Sequence, residues 1–137
     1  MGWNRPVAVA LIAISLTSCS DADRATADLA TQAFHQQFNA GQFVEIYTGA
    51  TQEFRAATSQ TDWVALLDAL RRRAGAFQST KQTSWLVNSG TAGTTVTATY
   101  STTFAQLITT ERFSWRIQNG TAILLGYRVD APDVLTN

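Results

Sequence analysis

Residues 95–104 have the sequence TVTATYSTTF, and this stretch decides the fold class of the chain. Mostly apolar side chains alternate along it with hydroxyl side chains. The mostly apolar set is Val96, Ala98, Tyr100, Thr102 and Phe104, and the hydroxyl set is Thr95, Thr97, Thr99, Ser101 and Thr103. A period of two is typical of a strand that buries one face and leaves the other in water. The stretch therefore predicts one strand of an antiparallel sheet.

The segments on both sides of this strand predict three more strands. They cover residues 77–87, 108–118 and 121–130, and Pro132 ends the last of them. Asn119-Gly120 between the last two is a strong signal for a two-residue hairpin turn, in which both turn residues need a positive φ. The sequence therefore predicts a four-stranded antiparallel meander.

The first half of the chain has a helical period instead. A helix is predicted over residues 26–40 with Gly41 as its C-cap, and Thr61 is predicted to cap a later helix. Between them lie two short elements, one with Phe43, Ile46 and Tyr47 and one over residues 51–57. The predicted apolar stripes are Leu29, Ala30, Ala33, Phe34 and Phe38 in the first helix, and Trp63, Leu66, Leu67, Leu70 and Ala74 in the second. Helices first and strands second predict an α+β fold, with N-terminal helices packed on a curved four-stranded antiparallel sheet.

The start of the chain has the pattern of an export signal. Arg5 supplies a positive charge, and residues 7–16 are apolar but too few for a transmembrane helix, which needs about 20 apolar residues. Leu16-Thr17-Ser18-Cys19 follows, and this run resembles the lipobox of bacterial lipoproteins. The resemblance implies cleavage before Cys19 and a diacylglycerol group on its sulfur. The alternative is an ordinary secretory signal cut nearby, with Cys19 an incidental thiol.

These features predict a domain organisation and a location. We expect a signal peptide at residues 1–18, a lipidated cysteine and tether at 19–26, the α+β domain at 27–131 and a flexible tail at 132–137. Lipidation of Cys19, the only cysteine, leaves none for a disulfide, a nucleophile or a zinc site. The membrane is the expected partner through this lipid. By analogy with lipoprotein sorting, Ser20 after the cysteine favours the outer membrane, with the domain facing the periplasm.

The charges of the chain are balanced, with ten Lys and Arg against ten Asp and Glu. This balance argues against a nucleic-acid partner. Arg71-Arg72-Arg73 is the only basic run, and we interpret it as a solvated helix end that complements the helix dipole. No glycine-rich run joins a strand to a helix, so no phosphate loop is predicted. We expect no cofactor and no metal.

Two sets of residues resemble a known family pattern. The first is Gly41-Gln42-Phe43, Ile46-Tyr47, Glu53-Phe54-Arg55 and Trp63, and the second is Leu125-Gly126-Tyr127-Arg128-Val129. Together they look like bacterial domain-of-unknown-function families with a cystatin-like, nuclear-transport-factor-2-like fold. The resemblance implies a cone-shaped pocket between the long helix and the sheet. Some members of that superfamily are enzymes with an Asp/His acid–base pair, others bind ligands or partners, and many dimerise through the sheet.

His35 is the only histidine of the chain. On a helical wheel it falls about 150° from the centre of the predicted apolar stripe. Asp28, Gln32, Gln36 and Asn39 share its side of the helix. The pattern predicts a solvated surface histidine, and we do not expect it to act as a base.

Strand register predicts a better candidate site. A two-residue turn at Asn119-Gly120 places Trp115 opposite Leu124, Phe113 opposite Gly126 and Glu111 opposite Arg128. A turn centred on Ala105-Gln106 places Tyr100 opposite Glu111, Ala98 opposite Phe113 and Val96 opposite Trp115. The two registers put Tyr100, Glu111 and Arg128 in one polar row on an apolar face, and Thr83 is placed to extend it.

A carboxylate on an apolar face needs a partner. The row is therefore either a structural ion pair between Glu111 and Arg128, or a polar floor that grips the polar group of a ligand. In the second case Trp115 and Tyr47 are further candidate ligand-binding residues. No catalytic residue is assigned.

The opposite face of the sheet offers a second surface. Apolar side chains of the last strand are predicted there beside the threonines, at Ile123, Leu125, Tyr127 and Val129. A patch of this size predicts a sheet-to-sheet homodimer or an envelope protein partner, unless the C-terminal tail covers it.

The function expected from the sequence is that of a lipid-anchored, non-enzymatic binding module of the cell envelope. It would use the cone for a small apolar ligand, or the outer sheet face for a protein. One alternative is a small-molecule enzyme in which Glu111 and Tyr100 are the acid–base groups. The other is an immunity or assembly lipoprotein that binds a protein partner.

Overall fold

The computed structural model describes Gly2 and residues 19–130. The helices are α1 (Cys19–Asn39), α2 (Phe43–Thr48), α3 (Gln52–Ala57) and α4 (Gln60–Ala74), and the strands are β1 (Phe77–Gly90), β2 (Gly93–Phe104), β3 (Ile108–Gln118) and β4 (Thr121–Asp130). The strands form one antiparallel sheet in the order β1-β2-β3-β4, and the helices pack on its inner face. The predicted α+β class, with N-terminal helices on a curved sheet, is confirmed. The predicted tail at 132–137 and, apart from Gly2, the predicted signal peptide lie outside the described residues.

α1 starts earlier than its sequence pattern predicts. It begins at Cys19 rather than near residue 26, so the segment predicted as a tether is helical. Its end agrees with the prediction, because Gly41 has a φ of +72°, a conformation that favours glycine after a helix. Within residues 19–130, no helix is both long enough and apolar enough to cross a membrane.

Side-chain caps begin the two later helices. The N–H of Phe54 donates to Oγ1 of Thr51 at 3.1 Å, and the N–H of Asp62 donates to Oγ of Ser59 at 3.1 Å. The predicted cap at Thr61 is therefore wrong by two positions. Ser59 has the extended backbone that a cap needs, whereas Thr61 lies inside the first turn of α4.

The register between β2 and β3 is the predicted one. Tyr100 lies opposite Glu111, Ala98 opposite Phe113 and Val96 opposite Trp115. All six side chains are buried on the inner face, under α1. The alternation of residues 95–104 is therefore enough to position the centre of the sheet.

The β3–β4 hairpin begins as predicted and then changes register. Asn119 and Gly120 have φ values of 51° and 74°, and Trp115 lies opposite Leu124. Beyond that pair the ladder shifts by one residue, so Ser114 faces Gly126 and Leu125 is an extra residue in β4. This is a β-bulge, which reverses the facing of every later side chain on its strand.

The bulge overturns two predicted pairs. Phe113 lies opposite Tyr127 instead of Gly126, and Glu111 lies opposite Val129 instead of Arg128. Arg128 is turned to the outer sheet face, the side away from the helices. The predicted polar row is therefore broken at its last member.

The bulge also changes the outer sheet face. Tyr127 and Val129, which were predicted to be part of an apolar patch there, turn inward instead, and Val129 is buried. Ile123 and Leu125 are half-buried. The patch as predicted is wrong, and the homodimer that it suggested stays a prediction without that support.

β1 is an edge strand with two irregularities. Its register against β2 shifts at Gln78 and again at Thr83. The second shift places Gln82 opposite Tyr100 and leaves Thr83 exposed, with its hydroxyl donating to the carbonyl of Thr99 at 3.2 Å. Gln82 therefore takes the place in the polar row that was predicted for Thr83.

Candidate functional site

α1 turns three polar side chains toward the sheet. Asp28, Thr31 and His35 follow the i, i+3, i+7 spacing of one helical stripe. Thr31 and His35 are each only 2% exposed, whereas Leu29 is 66% exposed. The prediction that His35 faces water is therefore wrong. The wheel was centred on apolar residues alone, while the buried stripe includes polar residues whose partners lie on the sheet.

His35 contacts Glu111, the most deeply buried acid of the described chain. Its Nε2 lies 2.7 Å from Oε1 of Glu111, and the hydroxyl of Tyr127 donates to Oε2. Glu111 is fully buried, so these two partners replace the water that a carboxylate would otherwise hold. Burial first, and then the Glu111 carboxylate, raise the pKa of Tyr127 well above its ordinary value. The phenol is therefore held protonated as a donor.

Aromatic rings enclose the imidazole. The ring of Phe77 stacks on it at 3.8 Å between centroids, nearly parallel. Phe34 and Phe113 present ring edges at 5.5 Å and 5.6 Å. The His35–Glu111 pair is thus surrounded by apolar groups, and its electrostatic attraction acts in a medium of low dielectric constant.

A second polar cluster lies two turns earlier on α1. The hydroxyl of Tyr100 donates to Oδ1 of Asp28 at 2.6 Å, and Nε2 of Gln82 donates to the same oxygen at 3.0 Å. Arg24 Nε donates to Oε1 of Gln82 at 2.8 Å. Burial and the Asp28 carboxylate raise the pKa of Tyr100 to about 12. The hydroxyl of Tyr100 is therefore bonded to Asp28 and not to Glu111, although Tyr100 lies directly beside Glu111 on the sheet.

Thr31 lies between Asp28 and His35 on the same stripe of α1 and connects that stripe to Trp115. The indole Nε1 of Trp115 donates to Oγ1 of Thr31 at 3.1 Å, and the Thr31 hydroxyl donates to the carbonyl of Ala27 at 2.9 Å. We call the whole row the polar seam. Its members are Asp28, Thr31, His35, Gln82, Tyr100, Glu111, Trp115 and Tyr127.

A cleft of about 460 Å³ lies on the other flank of α1, between that helix, α2 and the β3–β4 hairpin. Most of its lining residues are apolar, but polar and apolar groups share its exposed wall about equally. The apolar lining includes Ala30, Ala33, Phe34, Ile46, Trp115 and Leu124, and the polar lining includes Thr26, Gln37 and Glu45. Its volume lies within the range of roughly 300–1,000 Å³ that is typical of small-molecule sites.

Phe34 and Trp115 belong to both regions. Each lines the cleft, while the Phe34 ring contacts His35 and the Trp115 indole is bonded to Thr31. Neither His35 nor Glu111 lines the cleft. A molecule in the cleft would therefore touch the aromatic cover of the buried pair without touching the pair itself.

The residues predicted for the site are dispersed. Tyr100 and Glu111 are adjacent in the seam but have separate partners, and Trp115 is shared by seam and cleft. Arg128 lies on the outer sheet face with its Nε 3.6 Å from Oδ1 of Asp130. Tyr47 is buried, and its hydroxyl donates to the carbonyls of Arg55 and Thr58, so it fastens the end of α3 and lines no part of the cleft. Cys19 is exposed at the first residue of α1.

Five seam residues were not predicted from the sequence: Asp28, Thr31, His35, Gln82 and Tyr127. For the first three a signal exists, since their common helical stripe also contains Ala27, Phe34 and Phe38, all buried. For Tyr127 the local alternation of β4 points to the wrong face, and only the bulge places it inward. Within residues 19–130, no group of three His, Cys, Asp or Glu side chains is placed to hold a metal ion.

Comparison with known proteins adds no family to this geometry. No protein-family model matches the chain, and no curated protein sequence matches it.

Proposed function

We propose that this chain is a lipid-anchored binding module of the cell envelope, and that the cleft beside α1 binds a small apolar ligand. The observation that supports the proposal most is the cleft itself. It has the volume of a ligand site, apolar side chains such as Phe34 and Leu124 lie in its wall beside polar groups, and it is open between three elements of the fold. Glu45 is the one charged residue in its lining, so the ligand is expected to be neutral or to carry a donor group.

Two side chains in the cleft wall, Phe34 and Trp115, are held in place by other residues, which favours binding without a large rearrangement. Phe34 packs against Phe113, with 4.9 Å between ring centroids, and Trp115 is held by its hydrogen bond to Thr31. Side chains that are ordered before binding lose little conformational entropy when a ligand arrives. The seam, in this proposal, is the support that fixes the cleft wall.

The anchor is supported by the sequence Leu16-Thr17-Ser18-Cys19 and by the exposure of Cys19. α1 leads directly from that residue to Thr26 and Leu29, which line the near side of the cleft. A lipid on Cys19 would therefore hold the cleft close to the bilayer surface, most simply the outer membrane, facing the periplasm. An apolar ligand that partitions into lipid would be concentrated there.

The anchor is tested by the mass of the intact protein from a bacterial membrane fraction. The expected mass lacks residues 1–18 and includes a diacylglycerol and a further acyl chain, whereas Cys19→Ala loses that increment. A wild-type protein that is cut nearby and has an unmodified thiol would contradict the anchor.

The cleft is tested by native mass spectrometry of the full chain with Cys19→Ser, purified gently from the envelope. We expect a small bound mass in this protein and its loss in Ala33→Trp, because Ala33 lines the cleft and is exposed, so a larger ring fills the site without disturbing the core. Ala56→Trp, on the exposed side of α3, is the matched control and keeps the bound mass. A bound mass that persists in Ala33→Trp, or no bound mass at all, would contradict the cleft as the site.

An enzyme is the second candidate, because His35 and Glu111 form the imidazole–carboxylate pair that acid–base chemistry uses. In this alternative the ring of Phe34 must move to admit a substrate. The two functions separate in His35→Asn. If the protein is a binding module, His35→Asn binds a small molecule of the same mass as the parent protein does. If it is an enzyme that acts through the pair, His35→Asn binds its unreacted substrate, which has a different mass. A protein that co-purifies instead of a small molecule would favour an assembly or immunity role.

A further inference from the structure

Two arginines lie directly opposite each other on the outer sheet face. The β3–β4 register beyond the bulge pairs Arg112 with Arg128, and both side chains are exposed. Like charges at opposed positions destabilise a strand pair, because the side chains start only about 4.5–5.5 Å apart. The repulsion between these two arginines lowers the stability of the free protein. An anion bound between them would remove that repulsion and stabilise the protein.

Arg112 is available for such an anion. Its guanidinium makes no hydrogen bond and no ion pair within residues 19–130, whereas Arg116, the next arginine along this face, has its guanidinium 2.7 Å from Glu53. Arg128 has one acidic neighbour, Asp130, whose carboxylate lies 3.6 Å from its Nε, beyond hydrogen-bond distance. Both of these side chains are mostly exposed, so their attraction is weak.

A groove of about 280 Å³ surrounds the pair. It is lined by Thr99, Thr110, Arg112, Arg128 and Asp130. The hydroxyls of Thr99 and Thr110 have no hydrogen-bond partner among the described residues and are free to donate. Two guanidinium groups against one carboxylate leave the groove with a net positive charge.

We propose that this groove, which we call the Arg112–Arg128 groove, is a binding site for a phosphate group. A guanidinium presents its N–H groups as a planar fork that binds two oxygens at once. Two such forks and two hydroxyls offer more donors than the two oxygens of a carboxylate accept, and a tetrahedral phosphate has enough oxygens for all of them. The site lies on the face opposite the cleft, and its existence does not depend on the function proposed for the cleft.

The phosphate has two chemical sources, a soluble phosphate ester or the headgroup of an anionic phospholipid. The test uses the full chain with Cys19→Ser, titrated with inorganic phosphate and glycerol 3-phosphate at constant ionic strength, and sedimented with phosphatidylglycerol or phosphatidylcholine vesicles. Binding to inorganic phosphate or glycerol 3-phosphate assigns a soluble phosphate compound as the source. Binding to phosphatidylglycerol vesicles alone assigns the headgroup.

Three variants identify the groove as the site. Arg112→Gln and Arg128→Gln are each expected to weaken binding at least tenfold, and Asp130→Asn to strengthen it, because the competing carboxylate is gone. Arg72→Gln on α4 removes the same charge from an exposed arginine and should leave the affinity unchanged. Equal affinities in Arg112→Gln and Arg72→Gln, or no saturable binding to any of the four probes, would overturn the proposal.

Thermal unfolding provides an independent readout that a merely structural role would not give. In chloride buffer Arg112→Gln should unfold at a higher temperature than the parent, since the like-charge pair is removed. In phosphate buffer of the same ionic strength the parent should gain stability and Arg112→Gln should not. A parent protein that responds to phosphate no more than the variant does would also overturn the proposal.

Discussion

The imidazole of His35 and the carboxylate of Glu111 lie 2.7 Å apart although 76 positions separate them in the chain. The contact ties α1 to the centre of the sheet. His35→Ala is expected to lower the free energy of unfolding by about 3–5 kcal/mol, because it leaves a buried carboxylate with one of its two partners. Glu111→Gln keeps the size and an acceptor oxygen, so its loss should be smaller. Urea unfolding at neutral pH measures both.

A double-mutant cycle separates this pair from ordinary packing. His35→Leu combined with Glu111→Met should lose less stability than the two single changes added together, by roughly 0.5–3 kcal/mol. The reason is that each single change strands a buried polar partner, whereas the double change removes both. Losses that simply add would mean that the two side chains do not support each other.

Alkaline pH should destabilise the fold through the tyrosines of the seam. The folded-state pKa of Tyr100 is raised from 10.0 to about 12, so the folded protein holds this proton more tightly than the unfolded chain does. The resulting stability is complete below about pH 10 and is lost as the pH rises toward 12. Tyr127 acts in the same direction. Tyr100→Phe has no such proton, so its urea midpoint should fall less steeply over this range. A slope equal to that of the parent would contradict the assignment.

Gly75, which ends α4, should resist substitution. Its φ is +83°, and an added Cβ would lie 2.9 Å from Cβ of Ala105 in the β2–β3 turn. We expect Gly75→Ala to cost about 1–3 kcal/mol, the range for a residue held in an unfavourable backbone region. Gly90→Ala is the matched control, since its Cβ meets nothing within 4 Å and its φ is not positive. Thermal unfolding of the two variants should differ clearly; equal melting temperatures would mean that the turn moves freely.

Single-residue deletions should distinguish the two sides of the bulge. Removing Leu125 leaves Gly126 opposite Ser114 and Tyr127 opposite Phe113, so the inward residues of β4 keep their places in an unbroken ladder. Removing Ser114 from β3 instead turns Phe113 and Glu111 to the outer face, since side chains alternate with a period of two. The first variant should remain folded by circular dichroism and hydrogen exchange. The second should not. A folded Ser114 deletion would contradict the register.

The centre of the sheet was predictable because its signal is local. The alternation of residues 95–104 and the hairpin residues Asn119-Gly120 each decide a facing within a few positions, and the pairs nearest to the two turns agree with the structure. The end of α1 at Gly41 was predictable for the same reason, because its signal is also local. In each case the sterics of one short segment are sufficient to determine the local structure.

The candidate site was predictable only in part, because its decisive contacts join distant segments. His35 shares its helical stripe with the buried Ala27, Phe34 and Phe38, but its partner Glu111 lies on another element, so the pattern of α1 alone does not identify the contact. The bulge at Leu125 turns the ring of Tyr127 inward, where it packs against Phe34 and Phe113. Gly126 is a signal for a bulge, since a glycine inside a strand often marks one, but it does not say which residue is the extra one. Glu111 and Tyr100 were correctly placed as inward neighbours, yet the partners predicted for them were wrong.

The two irregularities of β1 have a consequence for how copies of this chain meet each other. An edge strand presents unpaired N–H and C=O groups, and a long regular edge invites another chain to add a strand, the first step of aggregation. The shifts at Gln78 and Thr83 divide this edge into residues 79–82 and 84–90, and Lys81 puts a charge on the first piece. An incoming strand would lose its hydrogen-bond register at Thr83. Strand addition at the β1 edge is therefore disfavoured even where copies are crowded together.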